Sequence, residues 1–246
     1  MKAIYTFGNG QAEGRADMRD LLGGKGANLA EMNLIGVPVP PGFTITTEIC
    51  TLYNQKGREA VVEMIKDDVK KSIEHIEKLT GNKFNDPSNP QLVSVRSGAP
   101  VSMPGMMDTV LNLGINDEVA ETLAKKSGNP RFAWDSYRRF VQMYGDVVLG
   151  MKPTNKTDID PFEAIIQELK EKKGVKFDTE LDVDDLKELV ARFKAAVKEN
   201  TGKDESHSKP ECRWNSIKNV MKSTAFPYKM PHIIKTGELV NKKCVF

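Results

Sequence analysis

The sequence predicts a mixed α/β lobe followed by an all-helical unit. Two observations lead to this prediction. Up to about Gly114, short β-branched or alternating runs are separated by glycine and proline turns and by two helical patterns. After Gly114, four helical patterns follow one another, and each begins with its own capping residue. At 246 residues, the chain is long enough to bury a core in such a fold.

The first part of the chain alternates strand and helix signals. Residues 3–7 and 43–47 are predicted to be strands, and the prolines of residues 37–41 form an extended turn before the second of them. Residues 27–34 are predicted to be helical, as are residues 59–79. The longer helix has one apolar face, made of Val62, Ile65, Val69, Ile73 and Ile76. His75 lies on the opposite, polar face, and we therefore interpret it as a solvated side chain.

The stretch around Arg96 is the centre of the functional prediction. A short β-branched run, Val93 to Val95, ends in Arg96, and a loop of small and glycine residues leads to residues 110–113, where strand-like alternation resumes. A guanidinium at a strand end beside free N–H groups suits an anion with several oxygens, such as a polyphosphate. A hairpin whose arginine pairs with a surface carboxylate is the alternative interpretation.

A second glycine-rich segment, Gly23-Gly24-Lys25-Gly26, opens the first helix. Glycines before a helix allow a phosphate to approach the N-terminal N–H groups, and Lys25 adds a point charge. The spacing is not that of a P-loop, since no Ser or Thr follows the lysine. In the alternative interpretation the glycines serve only the turn and the lysine is an ordinary exposed side chain.

The four helical patterns after Gly114 have clear boundaries. The predicted N-cap residues are Asn116, Asn129, Asp160 and Asp182. Gly128 ends the first helix and Gly174 ends the third. The second helix carries an apolar and aromatic stripe that we interpret as core packing: Ala133, Tyr137, Phe140, Val141, Tyr144 and Val148.

The last part of the chain differs in composition. Residues 204–246 contain eight Lys or Arg against four Asp or Glu, and Pro210, Pro227 and Pro231 interrupt any apolar period. We expect an aberrant or disordered tail there, and a frame-shifted or truncated reading is the preferred explanation. The predicted division is therefore a lobe at 1–114, a helical subdomain at 115–203 and this tail at 204–246.

The overall composition gives no sign of a nucleic-acid or membrane partner. The formal net charge is +2, and no apolar run approaches the ~18 residues of a membrane span. The three cysteines form neither a disulfide framework nor a zinc pattern, and His207 and Cys212 do not complete a paired metal motif. We therefore expect no nucleic-acid partner, no membrane partner and a reduced, cytoplasmic location.

Several motifs together resemble the pyruvate, phosphate dikinase family. They occur in the family's order, at residues 23–26, 37–43, 94–98, 102–109 and 129–140. The likeness runs from about residue 3 to about residue 203. The related phosphoenolpyruvate synthases share the lysine and arginine motifs but differ in the loop where this chain has Met106-Met107-Asp108-Thr109, which favours the dikinase family.

The resemblance implies an ATP-grasp nucleotide-binding lobe with an inserted helical subdomain, at the N-terminus of a longer enzyme. That enzyme converts ATP, phosphate and pyruvate to AMP, diphosphate and phosphoenolpyruvate, uses Mg²⁺ with ATP and forms homo-oligomers. Carried over by position, Lys25 and Arg96 contact the ATP phosphates. The loop over the phosphates supplies Ser102, Gly105 and Thr109.

The same resemblance implies an incomplete domain. The family's magnesium-ligand lobe, phosphohistidine carrier domain and pyruvate barrel are not found in this sequence, and no catalytic residue or metal ligand is assigned. We therefore expect weak binding of nucleotide phosphates and no turnover by this chain alone. Two alternatives stay open at this point: a non-catalytic interaction module on the same scaffold, with a basic tail docking on an acidic partner, and a phosphoenolpyruvate synthase-like fragment.

Overall fold

The computed structural model describes residues 1–84, 86–98, 109–151, 153, 159–201 and 230–235. Within these residues the chain forms a six-stranded sheet, a two-stranded sheet and seven α-helices. The strands are β1 (Ile4–Gly8), β2 (Gln11–Ala12), β3 (Gly42–Ile45), β4 (Lys83–Phe84), β5 (Pro90–Gln91), β6 (Val93–Gly98), β7 (Thr109–Leu113) and β8 (Met230–Lys235). The helices are α1 (Arg19–Leu34), α2 (Thr47–Lys56), α3 (Arg58–Thr80), α4 (Asp117–Ser127), α5 (Pro130–Val147), α6 (Pro161–Lys173) and α7 (Val183–Thr201). The predicted mixed α/β fold is confirmed.

The main sheet is antiparallel throughout, in the order β2-β1-β3-β8-β6-β7. Four helices, α4 to α7, lie between β7 and β8 in the chain, whereas both strands belong to this one sheet. The helical unit is therefore inserted between two strands of the sheet. The domain boundaries at residues 114 and 203 stay a prediction.

β8 lies within residues 204–246, where the sequence predicted an aberrant or disordered tail. Residues 230–235 pair with β3 on one side and with β6 on the other, so that they complete the middle of the sheet. A six-residue segment needs no long apolar period to form a strand there, because its backbone pairs with a strand on each side. Pro231, which lacks an N–H, is the second residue of the strand and lies outside the part that pairs with β3. The rest of 204–246 lies outside the described residues.

Helices cover both faces of the main sheet. On one face, Phe43, Ile45, Val93 and Val95 belong to a buried cluster that continues into α3 and into the helical unit. Residues of the opposite parity, such as Thr44, are buried on the other face, where α1 packs across the strands. Arg96 follows Val95 in β6 and so lies on the α1 face.

The helical unit follows its predicted boundaries. Each predicted N-cap side chain accepts a backbone N–H from the first turn of its helix: Asn116 from Val119, Asn129 from Phe132, Asp160 from Phe162 and Glu163, and Asp182 from Asp185. Gly128 and Gly174 adopt the left-handed conformation that ends a helix. The stripe on α5 packs in the core as predicted, and edge-to-face contact between Phe162 and Phe193 joins α6 to α7.

Two local predictions in the lobe were wrong. Thr47, predicted to end a strand, begins α2, because β3 stops at Ile45 and Thr46 takes an extended conformation before the helix. Arg96 was expected at a strand end, but β6 continues to Gly98 because Ser97 and Gly98 pair with β8. The second difference arises from strand pairing between residues far apart in the chain.

Candidate functional site

The glycine-rich segment lies at a break in α1. The helix begins at Arg19, earlier than predicted, but Gly23 interrupts it with φ 68° and ψ 164°. A side chain at this position would be disfavoured, because L-residues other than glycine rarely adopt this conformation. A new helical segment starts after the break, and Lys25 lies in its first turn. The break therefore determines where the Lys25 side chain leaves the helix.

Lys25 reaches from α1 to the strand that carries Arg96. Its Nζ donates a hydrogen bond to the backbone carbonyl oxygen of Ser97, at 3.2 Å. Although the residue is exposed overall, its ammonium group is partly shielded. This desolvation lowers the pKa of Lys25 below the ordinary lysine value, and the nearby positive charge of Arg96 lowers it further. Lys25 and Arg96 therefore lie close enough to repel each other.

Arg96 is held in the middle of three paired strands. It lies opposite Thr109 of β7 and opposite His232 of β8. Its Nε is buried and has no hydrogen-bond partner among the described residues. Neither Arg96 nor Lys25 forms an ion pair with a carboxylate in the part of the chain that the structure describes. The surface-carboxylate interpretation of Arg96 therefore finds no support in these residues.

The remaining predicted site residues divide into two groups. Thr109 is half-buried, pairs with Arg96 across β6 and β7 and so lies on the same face of the sheet. Ser102 and Gly105 lie outside the described residues. The structure thus places Lys25 against β6 and Thr109 opposite Arg96, and it leaves the two loop residues as predictions.

Sequence reasoning missed two features of this site. One is the carbonyl of Ser97, which holds Lys25 Nζ; a backbone acceptor leaves no signal in the side-chain pattern. The other is a bulge in β7, where Asn112 has φ 57° and the predicted alternation of residues 110–113 is broken. Two apolar residues at an odd spacing, Val110 and Leu113, were the available signal for that bulge.

Other candidate features have simple structural explanations. His75 is exposed on α3, as predicted. Among the described residues, no group of three His, Cys, Asp or Glu side chains is placed to hold a metal ion. Of the helices that the structure describes, none is both long and apolar enough to cross a membrane.

Lys25 and Arg96 are two neighbouring cations without a described carboxylate partner, and such a pair is suited to an anion. The guanidinium offers a planar set of donors that matches two oxygens of a phosphate. The ammonium adds a compact charge that reaches a neighbouring oxygen. An anion with several oxygens would relieve the repulsion between the two side chains, because each positive charge would then have a negative partner.

Comparison with known proteins places the chain in a nucleotide-binding family. Residues 19–230 match the family described as pyruvate phosphate dikinase, AMP/ATP-binding domain. The pyruvate, phosphate dikinase of Clostridium symbiosum is 52% identical over 223 residues, which cover 90% of this chain and 24% of that protein. The Rhizobium meliloti protein of the same name is 47% identical over 240 residues, which cover 96% of this chain and 26% of its own length.

A chloroplastic relative agrees with the bacterial ones. Pyruvate, phosphate dikinase 1 of Arabidopsis thaliana is 52% identical over 203 residues, which cover 82% of this chain and 20% of the plant protein. The chain thus spans about a quarter or less of the length of these curated relatives. Because the family match extends over most of its residues, the chain belongs to the pyruvate phosphate dikinase AMP/ATP-binding domain family.

Proposed function

We propose that the chain binds ATP through its phosphates at Lys25 and Arg96. The observation that carries this proposal is the convergence of two cations from separate elements, α1 and β6, without a described carboxylate between them. Partly shielding two like charges from water while holding them close together is unfavourable, so such a fold gains free energy when an anion binds. The family to which the chain belongs supports a nucleotide as that anion.

The division of the chain follows from the same proposal. We propose that residues 1–114 together with β8 form an ATP-grasp lobe and that residues 115–203 form a helical subdomain inserted into it. The antiparallel order of the main sheet and the insertion of α4 to α7 between β7 and β8 support this arrangement. In this arrangement the nucleotide phosphates lie on the face of the sheet that α1 covers, next to the Arg96 side chain of β6.

Each site residue has a distinct role in the proposal. Arg96 donates to two phosphate oxygens, while Lys25 leaves the Ser97 carbonyl or shares its protons between that carbonyl and a phosphate. Thr109, opposite Arg96, offers a hydroxyl on the same face. Ser102 and Gly105 are proposed to contact the phosphates from the loop between β6 and β7.

The described residues do not provide a magnesium site. Mg²⁺ requires oxygen ligands such as carboxylates, and the described side chains of the proposed site are two cations and a hydroxyl. We therefore derive no step through the metal from these residues. Neutralising and positioning the phosphates is the contribution that Lys25, Arg96 and Thr109 make, and this is a main protein contribution to phosphoryl transfer.

The complete reaction is proposed to need more than this chain. Conversion of ATP, phosphate and pyruvate to AMP, diphosphate and phosphoenolpyruvate would use parts of the relatives that lie outside the matched quarter. The interaction-module alternative gains no support from β8, since that strand lies inside the sheet rather than on a free surface. We therefore retain nucleotide binding without independent turnover as the function of this chain.

Calorimetric titration of ATP into the chain tests the proposal. Lys25→Met and Arg96→Met should each weaken binding by about 1.5–3 kcal/mol, because each removes a charge-assisted contact to phosphate. Arg139→Met is the matched control: it removes one positive charge from the exposed face of α5 and should leave the affinity unchanged. Equal affinity in the parent and both site variants would reject the assignment. Adding pyruvate and phosphate to the same ATP-bound preparation should yield no phosphoenolpyruvate.

A further inference from the structure

The pairing of β6 with β7 contains a one-residue shift beside Arg96. Val93 lies opposite Leu113, but Val95 lies opposite Val110, so two steps along β6 correspond to three along β7. The extra residue belongs to a bulge at Leu111 and Asn112, and Asn112 has a left-handed backbone with φ 57°. This is one of two non-glycine residues with positive φ among the described residues; the other, Asn9, lies in the turn between β1 and β2.

The bulge changes which face each residue of β7 presents. In a regular strand Val110 and Leu113, three residues apart, would point to opposite faces. Both are 0% exposed in this structure, and both belong to the core cluster together with Val93 and Val95. The bulge therefore reverses the alternation once, and Thr109 comes to lie opposite Arg96 on the α1 face.

A regular strand would give a different arrangement. If the register set by Val93 and Leu113 continued without the bulge, Arg96 would lie opposite Val110. The Val110 side chain would then lie beside the guanidinium on the α1 face, and the core cluster on the other face would lack that side chain. The bulge thus keeps an apolar side chain away from the site and a hydroxyl next to it.

We propose that Asn112 is a positioning residue for the Lys25–Arg96 site, which it serves by holding the bulge that pairs Arg96 with Thr109. The inference rests on the proposed function, since it assigns Asn112 a role in the phosphate site. Asn112 acts through the strand register and not through contact with the ligand. Asparagine suits the position because it adopts positive φ more readily than other residues with a Cβ, whereas a β-branched residue rarely does so.

Substitution at Asn112 separates this role from general stability. Asn112→Gly keeps the backbone conformation accessible, whereas Asn112→Val disfavours it. The matched control is Asn116→Ala, which removes the N-cap of α4 four residues away, where Asn116 Oδ1 accepts from the Val119 N–H at 2.9 Å. That substitution lowers stability without changing the register of β7.

ATP titration at a temperature where circular dichroism shows each variant folded gives the first readout. Asn112→Val should weaken ATP binding at least tenfold, while Asn112→Gly and Asn116→Ala should stay within about threefold of the parent. If Asn112→Val does not fold, Asn112→Ala takes its place, since alanine also disfavours positive φ and adds less bulk. Parent-like affinity in the Val or Ala variant, or equal weakening in Asn112→Gly or Asn116→Ala, would overturn the inference.

Nuclear Overhauser contacts between the backbones of Arg96 and Thr109 give the second readout. They should be present in the parent, Asn112→Gly and Asn116→Ala, and absent from Asn112→Val. Persistence of the contacts in Asn112→Val would also overturn the inference. A failure of the proposed function itself would give a different result, because Lys25→Met and Arg96→Met would then bind ATP as the parent does. In that case Asn112 would have no role in ATP binding, even if the strand contacts changed as expected.

Discussion

The α1–β6 region and the helical unit both place cations at partly buried positions, but they compensate them differently. In α5, Arg138 is 4% exposed and its Nη2 lies 2.9 Å from Asp135 Oδ1. In α6, Lys170 Nζ lies 3.1 Å from Asp178 Oδ1. In the α1–β6 region, Lys25 contacts a carbonyl, and Arg96 Nε has no partner among the described residues.

This difference separates the structural charges of the helical unit from the charges of the proposed site. In an ion pair inside the helical unit each charge is neutralised by the other, because the fold supplies both partners. Two neighbouring cations without a described anion gain nothing from folding. The desolvation of Lys25 and its repulsion by Arg96, which together lower the pKa of Lys25, are a cost. Such a cost is retained where an external anion binds, and the contrast between the two regions is therefore our main physical argument for the position of the site.

The largest expected effect comes from removing one arginine in each region. Arg138→Met should lower the free energy of unfolding by about 2 kcal/mol, because it leaves Asp135 with only the exposed Arg139 as a cationic partner. Arg96→Met should change the free energy of unfolding by less than about 0.5 kcal/mol, since no described ion pair is lost. Urea unfolding followed by circular dichroism measures both. Similar losses in the two variants would show that Arg96 is a structural residue like Arg138.

A smaller effect on stability alone is expected at the start of α6. Asp160 accepts hydrogen bonds from the N–H groups of Phe162, at 2.8 Å, and Glu163, at 3.2 Å. Asp160→Ala should therefore cost about 1 kcal/mol of unfolding free energy, and Asp160→Asn, which keeps a capping oxygen, should cost less. Neither should alter ATP affinity. A loss of ATP affinity as large as that of Lys25→Met would contradict the expectation that the helical unit affects stability alone.

The smallest expected effect is a pH dependence of stability. Because the folded protein holds the pKa of Lys25 below its ordinary value, the unfolded chain binds more protons between the two pKa values. The stability contribution of Lys25 should therefore rise as the pH increases from the pKa of Lys25 in the folded protein towards the ordinary lysine pKa of 10.5. The difference in unfolding free energy between the parent and Lys25→Met, measured across this range, isolates the effect. A difference that does not depend on pH would contradict it.

ATP affinity should show the opposite trend over the same alkaline range. As Lys25 loses its proton, one of the two positive charges at the site disappears, and binding of a polyphosphate weakens. Lys25→Met should lack this decline. Parallel pH profiles of affinity in the parent and in Lys25→Met would show that the charge of Lys25 does not act on the ligand.

By itself, the sequence determined the parts of this protein that depend on local interactions. The four N-caps of the helical unit, its glycine ends and its buried aromatic stripe are all recognisable within one or two helical turns. The lysine and arginine motifs were recognisable as short segments too, since glycines and a strand-forming run surround them. Local signals of this kind are reliable because the hydrogen bonds and contacts they predict join residues close in the chain.

Only the tertiary structure decided how the distant segments meet. It placed residues 230–235 between β3 and β6, ended β3 early enough for α2 to start at Thr47, and brought Lys25 to the carbonyl of Ser97. It also introduced the bulge at Asn112, which puts Thr109 rather than Val110 beside Arg96. These features depend on strand pairing and on helix–strand packing between separate segments. Such contacts follow from the packing of the whole sheet and not from any one segment.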